Sequence, residues 1–221
     1  MTEVNVEVVE IESGGEGWGM IETLAELINE TYLADDAFFL TGPRVTVEGL
    51  TDKVTGEGAK VYVMRAGERV LGCGIASPTS SQATPPGEEG GVDDESSGLV
   101  CEDLSLLSIA HSVKGKGLAR LLMGAIEEEA RGRGVGALRI EVVSVKPWLV
   151  AWYERLGFEK TGTVFPWPDD EANDGRDGVE DGCMRLRTAD GVDGKEWGKG
   201  VGVEGDWYRC QFVEMRKVLA P

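Results

Sequence analysis

The run Ser108-Ile109-Ala110-His111-Ser112-Val113-Lys114-Gly115-Lys116-Gly117-Leu118-Ala119-Arg120 most constrains what this chain can fold into. It closes an apolar, strand-like stretch and opens an amphipathic helix, with two glycines and two lysines between them. The first N–H groups of a helix have no intrahelical partner, and that end of the helix carries partial positive charge. Glycines let a ligand approach those N–H groups, and lysines add charge. A strand-to-helix turn of this composition is a cradle for a phosphate or pyrophosphate.

Two common phosphate loops do not fit. The chain has no G-x-x-x-x-G-K-S/T run, and Gly115-x-Gly117 is followed by Arg120 where a dinucleotide fingerprint needs a third glycine. The spacing Lys114-x-x-Gly117-x-Ala119 instead resembles the Q/R-x-x-G-x-G/A loop of the GNAT acetyltransferases, with Lys114 in place of the usual Gln or Arg. Further on, the strand-like Leu138-Arg139-Ile140-Glu141-Val142 and the later Trp152-Tyr153-Glu154-Arg155-Leu156-Gly157-Phe158 resemble that family's L-E-V strand and its Y-E-x-x-G-F helix end. The order, spacing and intervening helix agree. The stretch Gly157-Phe158-Glu159-Lys160-Thr161-Gly162 with Phe165-Pro166-Trp167-Pro168 is similar to a subgroup carrying G-F/Y-x-x-T-G-x-x-x-P-F/W-P.

Periodicity supplies the remaining elements. Val4 to Ile11 alternates as an edge strand, and Ile21, Leu24, Leu27 and Ile28 place a helix from Trp18 to Tyr32. A short helix follows at Val47–Val54, and Lys60–Arg65 and Arg69–Ala76 form a hairpin about Ala66-Gly67-Glu68. Leu99–Ile109 is a strand. The helix after the loop turns Leu118, Leu121, Leu122, Ala125 and Ile126 inward, leaves Glu127, Glu128, Glu129 and Arg131 mostly in water, and ends at Gly132 and Gly134. Ala137–Val145 is a strand, Pro147 opens a helix to Leu156, Glu159–Phe165 is another strand, and Tyr208–Leu219 is the last. Residues 78–98 read as a flexible loop, and residues 168–206 as an acidic, Gly-rich insertion with little regular structure. The expected architecture is a single α/β domain over 1–221, a GNAT fold whose mixed sheet has about six to seven strands flanked by about four helices.

Composition narrows the partners. The net charge of −18 repels nucleic acid phosphates and anionic lipid, so neither is expected as a partner. Cys73, Cys101, Cys183 and Cys210 form no C-x-x-C pair and His111 is the lone histidine, so no metal is expected. Cys73 and Cys101 lie in apolar runs and read as small buried hydrophobes. No signal peptide or membrane span is visible, and a reducing, cytoplasmic setting is expected.

The resemblance implies acetyl-CoA as cosubstrate and an N-acetyltransferase that moves the acetyl group to a primary amine, a small molecule or a peptide N-terminus, by direct attack. Leu107, Ser108 and Ile109 would meet the pantetheine arm. Lys114, Gly115, Lys116, Gly117, Leu118, Ala119 and Arg120 would hold the pyrophosphate. Lys146 stands where many members keep an asparagine and would reach the cofactor by charge. Tyr153 matches the tyrosine beside the CoA sulfur, and an ordinary phenol pKa of ~10 suits donation to a thiolate. Glu141 ranks first as base, Asp103 second and Glu102 third; strand alternation lets only one of the latter two face the cleft. His111 reads as a loop residue and Trp152 as core. Phe38, Phe39, Arg44 and Trp167 are the expected acceptor pocket. A non-catalytic CoA-binding module, and an acyltransferase taking a longer acyl-CoA or a hydroxyl acceptor, stay open, as does a homodimer.

Overall fold

A computed structural model of the chain describes residues 4–9, 11, 19–36, 42–79, 99–166, 179–180, 183–185, 207–209 and 211–219. The elements run β1 (Val4–Val9), α1 (Met20–Asp36), α2 (Val47–Val54), β2 (Lys60–Ala66), β3 (Arg69–Pro78), β4 (Cys101–Ile109), α3 (Leu118–Gly132), β5 (Ala137–Val143), α4 (Pro147–Glu154), β6 (Glu159–Pro166), β7 (Val179–Glu180), β8 (Cys183–Arg185), β9 (Trp207–Arg209) and β10 (Gln211–Val218). Seven strands make one sheet in the order β1-β2-β3-β4-β5-β10-β6. Every pairing in it is antiparallel except β4 with β5, the one joined by a crossover helix. This is the mixed sheet with four helices that the sequence implies. Among the described residues no helix is long and apolar enough to cross a membrane.

Each face of the sheet has its own core. On one, Leu122, Met123 and Ile126 of α3 pack with Leu138, Ile140 and Phe158. On the other, Ile21, Leu24 and Ile28 of α1 pack with Leu50 and Val54 of α2 over Val61 and Val63 of β2. The stripe of α3 is rotated from the expected one: Leu121 is exposed, while Met123 and Ala130 are inside. Glu127 also turns inward, because Lys217 Nζ donates to its Oε1 at 2.6 Å and Arg131 Nη2 to its Oε2 at 3.2 Å. The Lys217 pair comes from another element, which the spacing of residues along α3 does not register.

Helix α2 starts as its sequence predicts. The Thr46 hydroxyl accepts from the Gly49 N–H at 3.0 Å, satisfying one donor of the first turn. Thr46→Ala is expected to cost about 1 kcal/mol, read as a lower urea midpoint with an unchanged slope.

Helix α1 runs past Tyr32 to Asp36. Two acids at a helix C-terminus oppose the macrodipole, but Asp35 accepts from Lys114 Nζ and Asp36 from Lys146 Nζ. These long-range pairs hold the last turn. A second departure lies near the C-terminus. Trp207–Arg209 joins β7 and β8 in a separate three-stranded sheet, so the last strand of the main sheet begins only at Gln211 and inserts between β5 and β6. Residues 179–180 and 183–185 of the acidic insertion therefore do carry strand structure; backbone pairing needs no apolar periodicity and leaves no mark in composition. The rest of 168–206, apart from these five residues, and residues 80–98 lie outside the described residues.

Cys73 and Cys101 are buried, as expected of small hydrophobes, and burial pushes the Cys73 thiol up to about 12.

Candidate functional site

Strand β4 carries the feature that opens the sheet. Leu106 has φ +52°, a left-handed conformation that costs a leucine about 1–2 kcal/mol. The register against β3 slips here, between Cys73–Ser108 and Ile75–Ser105. Two residues of β4 thus oppose one of β3, a β-bulge, and the inward face of β4 switches parity. Leu104 packs on the α3 side before the bulge, Leu106 on the α1 side, and Ile109 on the α3 side after it. Pairing of β4 with β5 is confined to Cys101–Ala137, Glu102–Leu138 and Asp103–Arg139. Beyond Asp103 a cavity of about 90 Å³ lies between the strands, lined by Leu104–Leu107 and Ile140–Val143 together with Tyr32, Asp36, Arg44, Lys146, Leu149, Tyr153 and Phe212.

A larger cavity of about 550 Å³ adjoins the turn from β4 to α3. Leu107, Ile109, Val113, Lys114, Gly115, Gly117, Leu118, Ala119 and Arg120 form one wall, and Thr31, Tyr32, Asp35, Asp36, Lys146, Leu149, Trp152 and Tyr153 the other. Gly115 and Gly117 have φ of +76° and +78°, which glycine alone adopts without penalty. Gly117 is the N-cap of α3 and offers no side-chain cap. Among the described residues, the amides of Gly115 to Ala119 donate to no backbone carbonyl. Five consecutive amides without a backbone acceptor at the approach to a helix, beside Lys114 and Arg120, are an arrangement suited to an anion.

Six residues line both cavities: Tyr32, Asp36, Leu107, Lys146, Leu149 and Tyr153. That is where a ligand seated in the larger space would meet one seated between the strands. Tyr153 is buried, in edge-to-face contact with Trp152 at 4.8 Å and Phe158 at 5.5 Å between ring centroids. Burial, with a smaller contribution from Tyr32, raises its phenol well above the ordinary value. Lys146 caps α4 and is buried against Asp36. Burial lowers its ammonium to about 8, with the charge of Asp35 opposing.

The three carboxylate candidates separate cleanly. Glu141 lines the gap and is open to solvent at its mouth. The surrounding protein raises its carboxyl above the ordinary value, as do the negative charges of Asp103 and Glu214, while Arg139 and Lys53 oppose. Asp103 lies on the same sheet face but lines neither cavity; Arg139 holds it with Nε at 2.5 Å and Nη2 at 2.8 Å, and the Thr79 hydroxyl donates to it at 3.1 Å. Glu102 points the other way, buried on the α3 face and held by Arg133.

Of the residues read from the sequence, Leu107, Ile109, Lys114, Gly115, Gly117, Leu118, Ala119, Arg120 and Lys146 line the larger cavity. Ser108 and Lys116 do not; the Ser108 hydroxyl is buried and donates to the Leu106 carbonyl at 3.1 Å. Trp152, read as core, is half-buried and faces that cavity. His111 opens an exposed 3-10 turn and lines neither cavity. Arg44 reaches the narrow cavity, its guanidinium 5.5 Å from the centre of the Tyr32 ring. Phe38, Phe39 and Trp167 lie outside the described residues. The sequence reading missed Tyr32, Asp35 and Asp36. Their signal was faint: two acids at the end of an apolar helix, where a solvated terminus is the ordinary interpretation.

Comparison with known proteins agrees with this geometry. A family model described as an acetyltransferase (GNAT) domain matches residues 90–166. N-acetyltransferase 8B of Rattus norvegicus is 28% identical over 122 residues, which is 55% of this chain and 47% of that protein. Acetyltransferase Atu2258 of Agrobacterium fabrum is 36% identical over 63 residues, 28% of this chain and 44% of that protein. The matched segments span somewhat under half the length of these two relatives. Among solved structures, the ribosomal-protein-alanine N-acetyltransferase of Brucella melitensis superposes with a TM-score of 0.55 at 18% identity, covering 96% of this chain and 99% of that one. FeeM, an N-acyl amino acid synthase from uncultured soil microbes, gives 0.60 at 11% identity, covering 99% and 93%. At these identities the structural likeness establishes the fold.

Proposed function

We propose that this chain, a GNAT superfamily member by its domain and its fold, transfers an acetyl group from acetyl-CoA to a primary amine. The observation that carries this reading is the meeting of two cavities. One is walled by an anion-binding loop, the other is a gap in the sheet with a carboxylate at its mouth, and they join at Tyr153 and Lys146.

The residues present suit acetyl-CoA. The open amides of Gly115 to Ala119, with Lys114 and Arg120, would hold the pyrophosphate. The volume of about 550 Å³ lies in the range of small-molecule sites. Leu107, at the bulge and beyond the last β4–β5 pair, would align the pantetheine arm with free main-chain groups. Bound there, acetyl-CoA supplies an activated thioester. Glu141 would take the proton of the attacking nitrogen at the open mouth of the gap. Its raised pKa brings it closer to a working base at neutral pH. The Tyr153 hydroxyl would hydrogen-bond to the sulfur. Burial raises its phenol above the ordinary value. Arg44 and Tyr32 would face the acceptor. Direct attack needs no covalent enzyme intermediate.

The acceptor is a small amine or a peptide N-terminus. Titration calorimetry with acetyl-CoA and with CoA, followed by an amine panel scored by thiol release, tests the reading. Binding with amine-dependent release is the expected result. Binding with no release from any amine would favour a CoA-binding module, and no binding would overturn the assignment of Lys114 to Arg120.

A further inference from the structure

We propose that Lys146, held by Asp36 where the two cavities meet, is the proton donor to the departing sulfur. The inference rests on the acyl-transfer reading above and assigns the acid within it.

The geometry is specific. Lys146 is fixed at the start of α4 and Asp36 at the end of α1, and both side chains are buried. Their ion pair joins elements far apart in sequence and lines both cavities. A buried ion pair is a poor source of stability, since well-packed apolar residues commonly do as well or better. Its place at the junction gives it a chemical use instead.

The other charged and titratable groups facing these cavities are Tyr32 and Asp35 of α1, Tyr153 of α4, Glu141 of β5, Lys114 of the loop, Arg120 of α3, and Arg44 ahead of α2. Lys114 is engaged by Asp35 and Arg44 by Tyr32. A guanidinium does not give up its proton in proteins. The Tyr153 phenol sits above its ordinary value. Burial brings the Lys146 ammonium down from its ordinary value toward neutral pH and toward the ordinary thiol value of ~8.5, which favours it as a proton donor.

The step balances. The nitrogen–carbon bond forms as the carbon–sulfur bond breaks, and its electron pair goes to sulfur. Sulfur takes the proton from Lys146 Nζ. Glu141 takes the proton lost by nitrogen and releases it to solvent at the mouth of the gap. Water in the larger cavity returns a proton to Lys146, and Asp36 stays a carboxylate throughout.

The first test needs no acceptor. CoA bound to the full chain is titrated by following the ultraviolet absorbance of its thiolate. A positive charge beside sulfur is expected to raise the bound thiolate fraction about tenfold over free CoA at the same pH, one pKa unit. Lys146→Gln alone would strand the buried Asp36 charge, so it is combined with Asp36→Asn. That double variant is expected to return the bound thiol to the titration of free CoA. Lys146→Arg keeps the charge and hence the raised thiolate fraction. It cannot donate, so its kcat on the best amine of the panel is expected to fall on the order of 10²-fold. Its pH–rate profile should also lose the fall in kcat above pH ~8 that donation from Lys146 implies. A double variant with the wild-type thiol titration, or a Lys146→Arg protein with wild-type kcat and profile, would overturn the assignment and leave acyl transfer intact. Absence of CoA binding by the wild type would overturn both.

Discussion

Glu141→Gln is expected to lower kcat by about 10²- to 10⁴-fold, the usual value of a positioned general base, while acetyl-CoA binding stays within a few-fold of wild type. The substitution keeps the shape of the side chain at the mouth of the β4–β5 gap and removes only its ability to take a proton. The pH dependence gives the sharper test. The carboxyl is raised above its ordinary value by the surrounding protein and by the charges of Asp103 and Glu214. Activity should therefore fall as pH drops through a value above the ordinary carboxylate pKa of ~4.3, and the variant should lose that limb. Stability should move the other way. A carboxylate whose folded pKa is raised costs nothing below its unfolded pKa; the cost grows through the window up to the folded pKa and is constant above it. The neutral amide removes that cost at neutral pH. Because Glu141 is open to solvent, screening keeps the gain small, within about 0.5 kcal/mol. A Glu141→Gln protein with wild-type kcat and an unchanged acid limb would assign the base elsewhere, with a water relay the first alternative. Asp103 and Glu102 are poorer alternatives, since guanidinium groups already hold both.

Gly117→Asp is expected to weaken acetyl-CoA binding on the order of 10²-fold and to leave the fold nearly intact. A β-carbon at Gly117 would meet nothing within 4 Å, so the substitution creates no clash. The φ of +78° costs a non-glycine residue about 1–2 kcal/mol, with Asp among the residues that tolerate it best. The new carboxylate would then sit among the open amides at the start of α3 and act as a tethered anion. At ~5 Å from a phosphate, with an effective dielectric of about 20, the repulsion is about 3 kcal/mol, which sets the expected loss. Gly117→Ala carries the same backbone strain without the charge. It should lose stability by a similar amount and keep most of its affinity. Calorimetric titration of acetyl-CoA separates the two variants; equal loss in both would mean that strain, and not the anion cradle, governs binding.

These tests bear on a site whose halves were unequally legible. The loop half reads directly from sequence, because a strand, a glycine turn and a helix start are consecutive and their backbone geometry suits an anion. Gly115 and Gly117 take a left-handed backbone that glycine alone adopts without penalty, and the open amides of Leu118 and Ala119 follow from Leu118 starting a helix. Glu141 and Tyr153 were singled out by the resemblance of their strand and helix to GNAT motifs, and the structure puts both on the lining of the gap. The choice between Asp103 and Glu102 was not legible. Alternation said that one of them faces the cleft, and only Arg139 and Arg133, reaching from other elements, fix which carboxylate points where and show that both are already engaged.

The half beyond the loop was less legible still. The bulge at Leu106 inverts the parity of β4 beyond it, so an alternation argument carried from Asp103 to Ile109 assigns faces wrongly past that residue. No glycine or proline within β4 announces the bulge, although the residue it opposes on β3 is Gly74. Tyr32, Asp35 and Asp36 belong to a helix whose pattern reports only its buried stripe; that they meet Lys114 and Lys146 depends on how α1 lies across the end of β4.

Local chemistry in the sequence determined the order of strands and helices, the anion cradle before α3, and the placement of a carboxylate and a tyrosine on neighbouring elements. Each of these is a property of a few consecutive residues, set by backbone sterics and hydrophobic periodicity. Tertiary structure alone decided the opening of the sheet between β4 and β5, the separate pairing of Trp207–Arg209, and the joining of Asp36 to Lys146 at the point where the cavities meet. Those features depend on contacts between residues distant in the chain, and periodicity along one segment carries no information about which partner another segment brings to it.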